Sequence, residues 1–185
     1  MQRNFSPPTV IDVEASGFGA GSYPIEVGFV TSEGERFCTL IRPPDHWTHW
    51  DEQAATVHRI PRHVLLEHGK PVIEVVRTLN QRLAGRTVYS DAWHYDFTWL
   101  AVLFDEAGSL PTFRLAHIYC LLREVEVQAW PAAQAEVERD LALRRHRASS
   151  DALMLQQTWV RVTSGDRLAR LLGPVPPVGQ TTEAD

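Results

Sequence analysis

Asp12 and Glu14 stand two residues apart in Thr9-Val10-Ile11-Asp12-Val13-Glu14. The run reads as a strand whose apolar continuity is broken only by acid, and side chains two apart on a strand share a face. Two like charges held side by side call for a cation. The turn that follows, Gly17-Phe18-Gly19-Ala20-Gly21-Ser22, permits close approach by a large ligand at the end of a strand, where α/β sheets bind theirs. It is neither a Walker loop, having no Gly-Lys-Ser/Thr, nor a dinucleotide fingerprint, because Ser22 stands where the third glycine belongs. A third acid, Asp96, falls in the first turn of an expected helix, where it either complements the helix N-terminus or joins the strand pair. The fourth arrives with a histidine, in His146-Arg147-Ala148-Ser149-Ser150-Asp151. A serine cap at 149 or 150 puts Asp151 in the first turn of the last helix and leaves His146 in the loop before it, free to swing over a site.

These groups need a scaffold, and the apolar periodicity supplies one. Strands are expected over 9–13, 25–30 and 36–41 as a meander, then 87–90 and about 113–116. Short helices over 54–58 and 61–66 precede a longer one over 72–83 that Gly85 ends. A helix from about 94 to 106 carries Phe97, Leu100, Ala101 and Phe104 on one stripe. Further helices are expected near 119–127 and 132–143, and the last after Ser149-Ser150. Hairpin-paired strands followed by strands alternating with helices indicate an α/β fold with a mixed central sheet of about five strands flanked by helices. Residues 1–172 form a single domain in this reading, and 173–185 a loose tail.

Composition agrees with one globular unit: 185 residues, 44% hydrophobic, 22% charged. The net charge of −5 argues against a histone-like nucleic-acid binder yet leaves a nuclease open, because active-site carboxylates count as negative until metal neutralises them. Cys38 and Cys120 form no CxxC pair and read as two buried thiols. No membrane-length apolar run occurs, and the start, MQRNFSPP, lacks a signal-peptide pattern, so a cytoplasmic protein is expected. Trp99 and Trp159 fit apolar helix stripes and belong to the core; Trp47 and Trp50, in a Pro- and His-containing loop, look less committed to it.

The order D-x-E, then D, then H-x4-D resembles the DEDD superfamily of 3'-to-5' exonucleases, which includes the proofreading subunit of bacterial DNA polymerase III, ribonuclease T and oligoribonuclease. The resemblance covers about residues 8–162. Asp12-Val13-Glu14-Ala15-Ser16-Gly17-Phe18 is similar to the first motif, Tyr95-Asp96-Phe97-Thr98-Trp99-Leu100 to the second, and His146 through Asp151 to the third. Val57-His58-Arg59-Ile60 resembles a V-H-G-I stretch found between the first two, with Arg59 in place of glycine. Members of the tyrosine type carry Tyr four residues before the last Asp; Arg147 stands there, so the chain resembles the histidine subclass.

The resemblance implies a ribonuclease H-like fold and two divalent cations, Mg²⁺ or Mn²⁺, held by Asp12, Glu14, Asp96 and Asp151, and hard oxygen ligands suit those ions. It implies hydrolysis of single-stranded DNA or RNA from the 3' end to nucleoside 5'-monophosphates, with His146 as general base, a role an imidazole suits near neutral pH. Gly17 and Phe18 would lie on the substrate side, Phe18 wedged between terminal bases, and His58 would line the pocket. A homodimer is admitted by analogy with related ribonucleases. The rival reading is a non-catalytic module that keeps the fold to bind a nucleic-acid end or a partner protein.

Overall fold

β1 (Thr9–Ala15) is largely buried, with both faces covered, so its side chains sort by parity. Ile11, Val13 and Ala15 enter one apolar cluster and Val10 a second. Asp12 and Glu14 therefore share the face of Val10. The computed structural model describes residues 6–142 and 146–164 and builds outward from this strand. β2 (Pro24–Val30) pairs antiparallel with β1, and β3 (Arg36–Leu40) antiparallel with β2. β4 (Thr87–Ser90) and β5 (Arg114–His117) add in parallel on the other side of β1, giving the order β3-β2-β1-β4-β5. This is the expected five-stranded mixed sheet with its meander first.

Helices cover both faces. α1 (Glu52–His58) and α2 (Arg62–His68) lead into α3 (Val72–Leu83), whose Val75, Val76, Leu79 and Leu83 recur at helical spacing and pack into the first cluster. α4 (Trp93–Glu106) joins them through Trp99, Leu100, Leu103 and Phe104. The opposite face is closed by α5 (Glu124–Leu141) and α6 (Ala148–Thr163), with Trp130, Ala133, Ala152, Leu155 and Trp159 against Val10 and Val30. Asp12 and Glu14 thus point to the side where α6 lies.

Several expectations need correction. Phe97 and Ala101 are exposed; the buried stripe of α4 runs instead through Asp96, Trp99, Leu100, Leu103 and Phe104, because the helix is turned to bring Asp96 inward. The two helices expected near 119–127 and 132–143 are joined: α5 runs unbroken through the gap between them, with Pro131 inside it. Pro131 and Val127 are both exposed, so the carbonyl that loses its partner can be solvated. Cys38, on the edge strand, and Cys120 are exposed free thiols. Trp47 is buried, stacked on Tyr23 at 5.1 Å. No helix among the described residues is long and apolar enough to cross a membrane, and the expected loose tail, 173–185, lies outside the described residues.

Arg59 caps α1 in the left-handed region at φ 55°, which is why a glycine would suit that place. Arg59→Gly is expected to stabilise the fold by about 1 kcal/mol or less, raising Tm by up to roughly 2–4 °C. Paired thermal melts check this, and a lowered midpoint refutes it.

Candidate active site

β1, the start of α4 and the start of α6 meet at a cleft of about 450 Å³. Asp12 and Glu14 reach it from β1, Asp96 from the first turn of α4, and Asp151 from the first turn of α6, with His146 in the segment just before that helix. Gly17, Phe18 and His58 line the same cleft. All eight residues singled out by sequence are brought together, although they span most of the chain.

The carboxylates strain one another electrostatically. Asp12 is pushed well above the usual carboxylate range, first by burial and then by the charges of Asp96, Glu14, Asp151 and Asp91. Burial is also the main cause of Glu14 rising to about 8, helped by Asp151, Glu26 and Asp96 and opposed by Arg147. Asp96 is almost wholly buried and pushed up to about 7 by burial, with Asp91 adding to the rise. Hydrogen bonds from the Ser90 hydroxyl and the Val13 backbone pull Asp96 the other way. Such a set persists only protonated or around a cation. Ligand atoms of Glu14, His146 and Asp151 lie within 4.8 Å of one another, so one ion could span them. Carboxylates with a single imidazole beside them are a donor set for a hard divalent cation such as Mg²⁺ or Mn²⁺.

The remaining wall is aromatic. Phe18 is 63% exposed and meets Tyr95 edge-on at 5.1 Å, while Tyr95 stacks on Trp99 at 5.8 Å. Gly17, at φ 146°, admits no side chain: a Cβ there would lie 2.6 Å from the Cβ of Asp51. The His58 ring accepts the Ile60 N–H on Nδ1 at 3.0 Å, so a neutral ring carries its proton on Nε2. That Nε2 is buried with no hydrogen-bond partner among the described residues.

Sequence reasoning missed three contributors to the cleft. Tyr95 and Asp91 sit beside recognised positions, and their exposure on the cleft is visible only once α4 is placed. Gln134 enters from α5, which carries no motif. The expected serine cap is also corrected: α6 begins at Ala148 behind Arg147, whose side chain makes no cap bond, and the Ala148 N–H donates to the carboxylate of Glu26 on β2 at 2.9 Å.

No protein-family model and no curated protein sequence matches the chain. Solved structures do. Exonuclease I of E. coli in complex with a dA16 oligonucleotide superposes with a TM-score of 0.64 at 12% identity, over 90% of this chain and 42% of that one. The zinc-bound form of the E. coli ExoI-ssDNA complex gives 0.64, 12%, 90% and 42%. Exonuclease I from Methylocaldum szegediense gives 0.61 at 13% identity over 90% and 42%. The chain thus spans less than half the length of these proteins. At such identities the likeness concerns architecture, and the five-stranded mixed sheet with its flanking helices has the ribonuclease H-like exonuclease fold.

Proposed function

We propose that this domain is a metal-dependent 3'-to-5' exonuclease of the histidine subclass, acting on single-stranded DNA or RNA and releasing nucleoside 5'-monophosphates. The observation that carries the reading is the convergence of Asp12, Glu14, Asp96, Asp151 and His146 on one cleft whose acids are driven up in pKa by burial and mutual repulsion. Asp12, Glu14, Asp96 and Asp151 would hold two divalent cations, Mg²⁺ or Mn²⁺, whose chemistry when bound is to stabilise charge on the phosphate and to acidify the attacking water.

The chain's own residues then do the rest. Phe18 and Tyr95 offer exposed rings on which terminal bases stack without regard to sequence. The His58 Nε2–H offers a hydrogen bond to an oxygen of the terminal nucleotide. His146 is exposed, next to Glu14 and Asp151, where it can take the proton of the incoming water as the P–O3' bond breaks. Arg147 is turned to Glu26, so His146 is the member of this segment that faces the cleft. This arrangement supports the histidine subclass.

Digestion of matched 5'-labelled and 3'-labelled oligonucleotides tests the proposal. A free 3'-hydroxyl should be attacked stepwise in Mg²⁺ with release of 5'-mononucleotides, a 3'-phosphate should resist, and a 5'-phosphate should make no difference. Cutting of a circular substrate at the linear rate would overturn the exonuclease reading, and tight binding of 3' ends without product in Mg²⁺ or Mn²⁺ would favour the non-catalytic module.

A further inference from the structure

Glu26 belongs to none of the motifs, yet its side chain is fully buried on the face of the sheet that α6 covers. A carboxylate removed from water is costly unless its oxygens are satisfied. Here they are. Arg147 donates Nε to Oε1 and Oε2 at 3.0 and 3.1 Å and Nη2 to Oε1 at 2.5 Å. The Ala148 N–H donates to Oε2 at 2.9 Å. A residue of β2 thus supplies the cap that α6 lacks locally and places negative charge at its positive end. Two residues on, Gly28 lets the helix close onto the strand: a Cβ there would lie 2.3 Å from the Ser149 nitrogen and 2.6 Å from the Ala148 carbonyl carbon. The start of α6 is tied to β2 at both points. Those points are in register with the site, since Glu26 pairs opposite Glu14 and Gly28 opposite Asp12.

We infer that Glu26 is the positioning residue that sets Asp151 and His146 against the carboxylates of β1. It touches no substrate, and it acts through Arg147, one residue after His146, and the Ala148 amide, three residues before Asp151. The catalytic consequence rests on the proposed function; the structural one does not.

Three variants test it. Glu26→Ala removes the cap and the clamp, so the Ala148 amide should exchange with solvent about tenfold faster or more, and Mn²⁺ affinity and kcat should each fall by about 10- to 100-fold while the oligonucleotide KM changes little. Glu26→Gln keeps the length and one acceptor oxygen but sets its NH2 against either the Ala148 N–H or Arg147, and should recover part of all three. Glu26→Asp, one methylene short, should not. Equal impairment of Glu26→Gln and Glu26→Ala would assign the effect to buried charge and overturn the inference, as would wild-type Mn²⁺ affinity and kcat in Glu26→Ala. Should Glu26→Ala not fold, Arg147→Ala decides: it cuts the half-exposed clamp, leaves the Ala148 bond, and should show an intermediate loss, with wild-type values refuting the claim. A wild-type protein inert toward oligonucleotides would defeat the proposed function alone, because amide exchange and Mn²⁺ affinity need no turnover to decide the placement of α6.

Discussion

Asp12→Asn is expected to abolish metal-dependent hydrolysis while the metal-free protein melts at the wild-type temperature or above it. The second half follows from the first. Asp12 sits where burial and four neighbouring acids oppose its charge, so without a cation its ionised form weakens the fold, and an amide of the same shape removes that repulsion. Its charge matters only when a cation is present, and there an amide is a poor replacement. The pH dependence carries the same sign. Glu14 rises from its ordinary 4.5 to about 8, so the native state holds a proton that the unfolded chain has released. The contribution of Glu14 to metal-free stability is then greatest below about pH 4.5 and is lost as pH rises through about 8. A divalent cation binds the deprotonated form and reverses the decline. The gain in Tm on adding Mg²⁺ or Mn²⁺ should be larger at pH 8 than at pH 6, and Asp12→Asn should flatten both trends. Scanning fluorimetry across pH, alongside turnover on a labelled oligonucleotide, checks this. Wild-type turnover in Mg²⁺ would remove Asp12 from the metal site, and a lower metal-free Tm would contradict the electrostatic account.

What could be read from the chain divides by the range of the interaction. β1 was legible because Asp12 and Glu14 interrupt an otherwise apolar run, and parity alone places both on one face. Asp96 was legible as a first-turn acid, but the stripe of α4 was misread. Periodicity fits a helix to its apolar residues, whereas here a buried acid turns Phe97 outward. Trp47 looked free because its stacking partner, Tyr23, is 24 positions upstream. The chain between 127 and 132 reads as a gap between two helices, yet α5 crosses it, because the exposure that lets Pro131 sit inside a helix is a tertiary fact. The start of α6 is the sharpest case: Ser149 and Ser150 offered a local cap, and the cap in use comes from Glu26, 122 residues away. Local rules name the groups that do chemistry. The distances between those groups depend on strand register and on a glycine at the crossing.

His146→Ala is expected to lower kcat by roughly 10²- to 10⁴-fold while leaving Mg²⁺ affinity nearly intact. The geometry permits two roles, since the imidazole lies within 4.8 Å of Glu14 and Asp151 ligand atoms and either a ligand or a base could sit there. Three features favour the base. The ring is exposed, where water enters and protons leave. His146 lies outside α6 at φ 59°, so its ring is not carried by the helix that carries Asp151. Four carboxylates already supply hard donors, so removing one nitrogen subtracts little from the site. If a neutral imidazole accepts the proton, wild-type activity rises with pH along a limb that His146→Ala loses. Acidified water would produce a limb of similar shape, and exchanging Mg²⁺ for Mn²⁺ separates the two: a limb set by water moves with the ion, and one set by His146 stays. Should His146→Ala keep full kcat at pH 7, or lose Mg²⁺ as severely as Asp151→Asn, the imidazole is a bystander or a ligand, and the histidine-subclass mechanism proposed for this cleft fails with it.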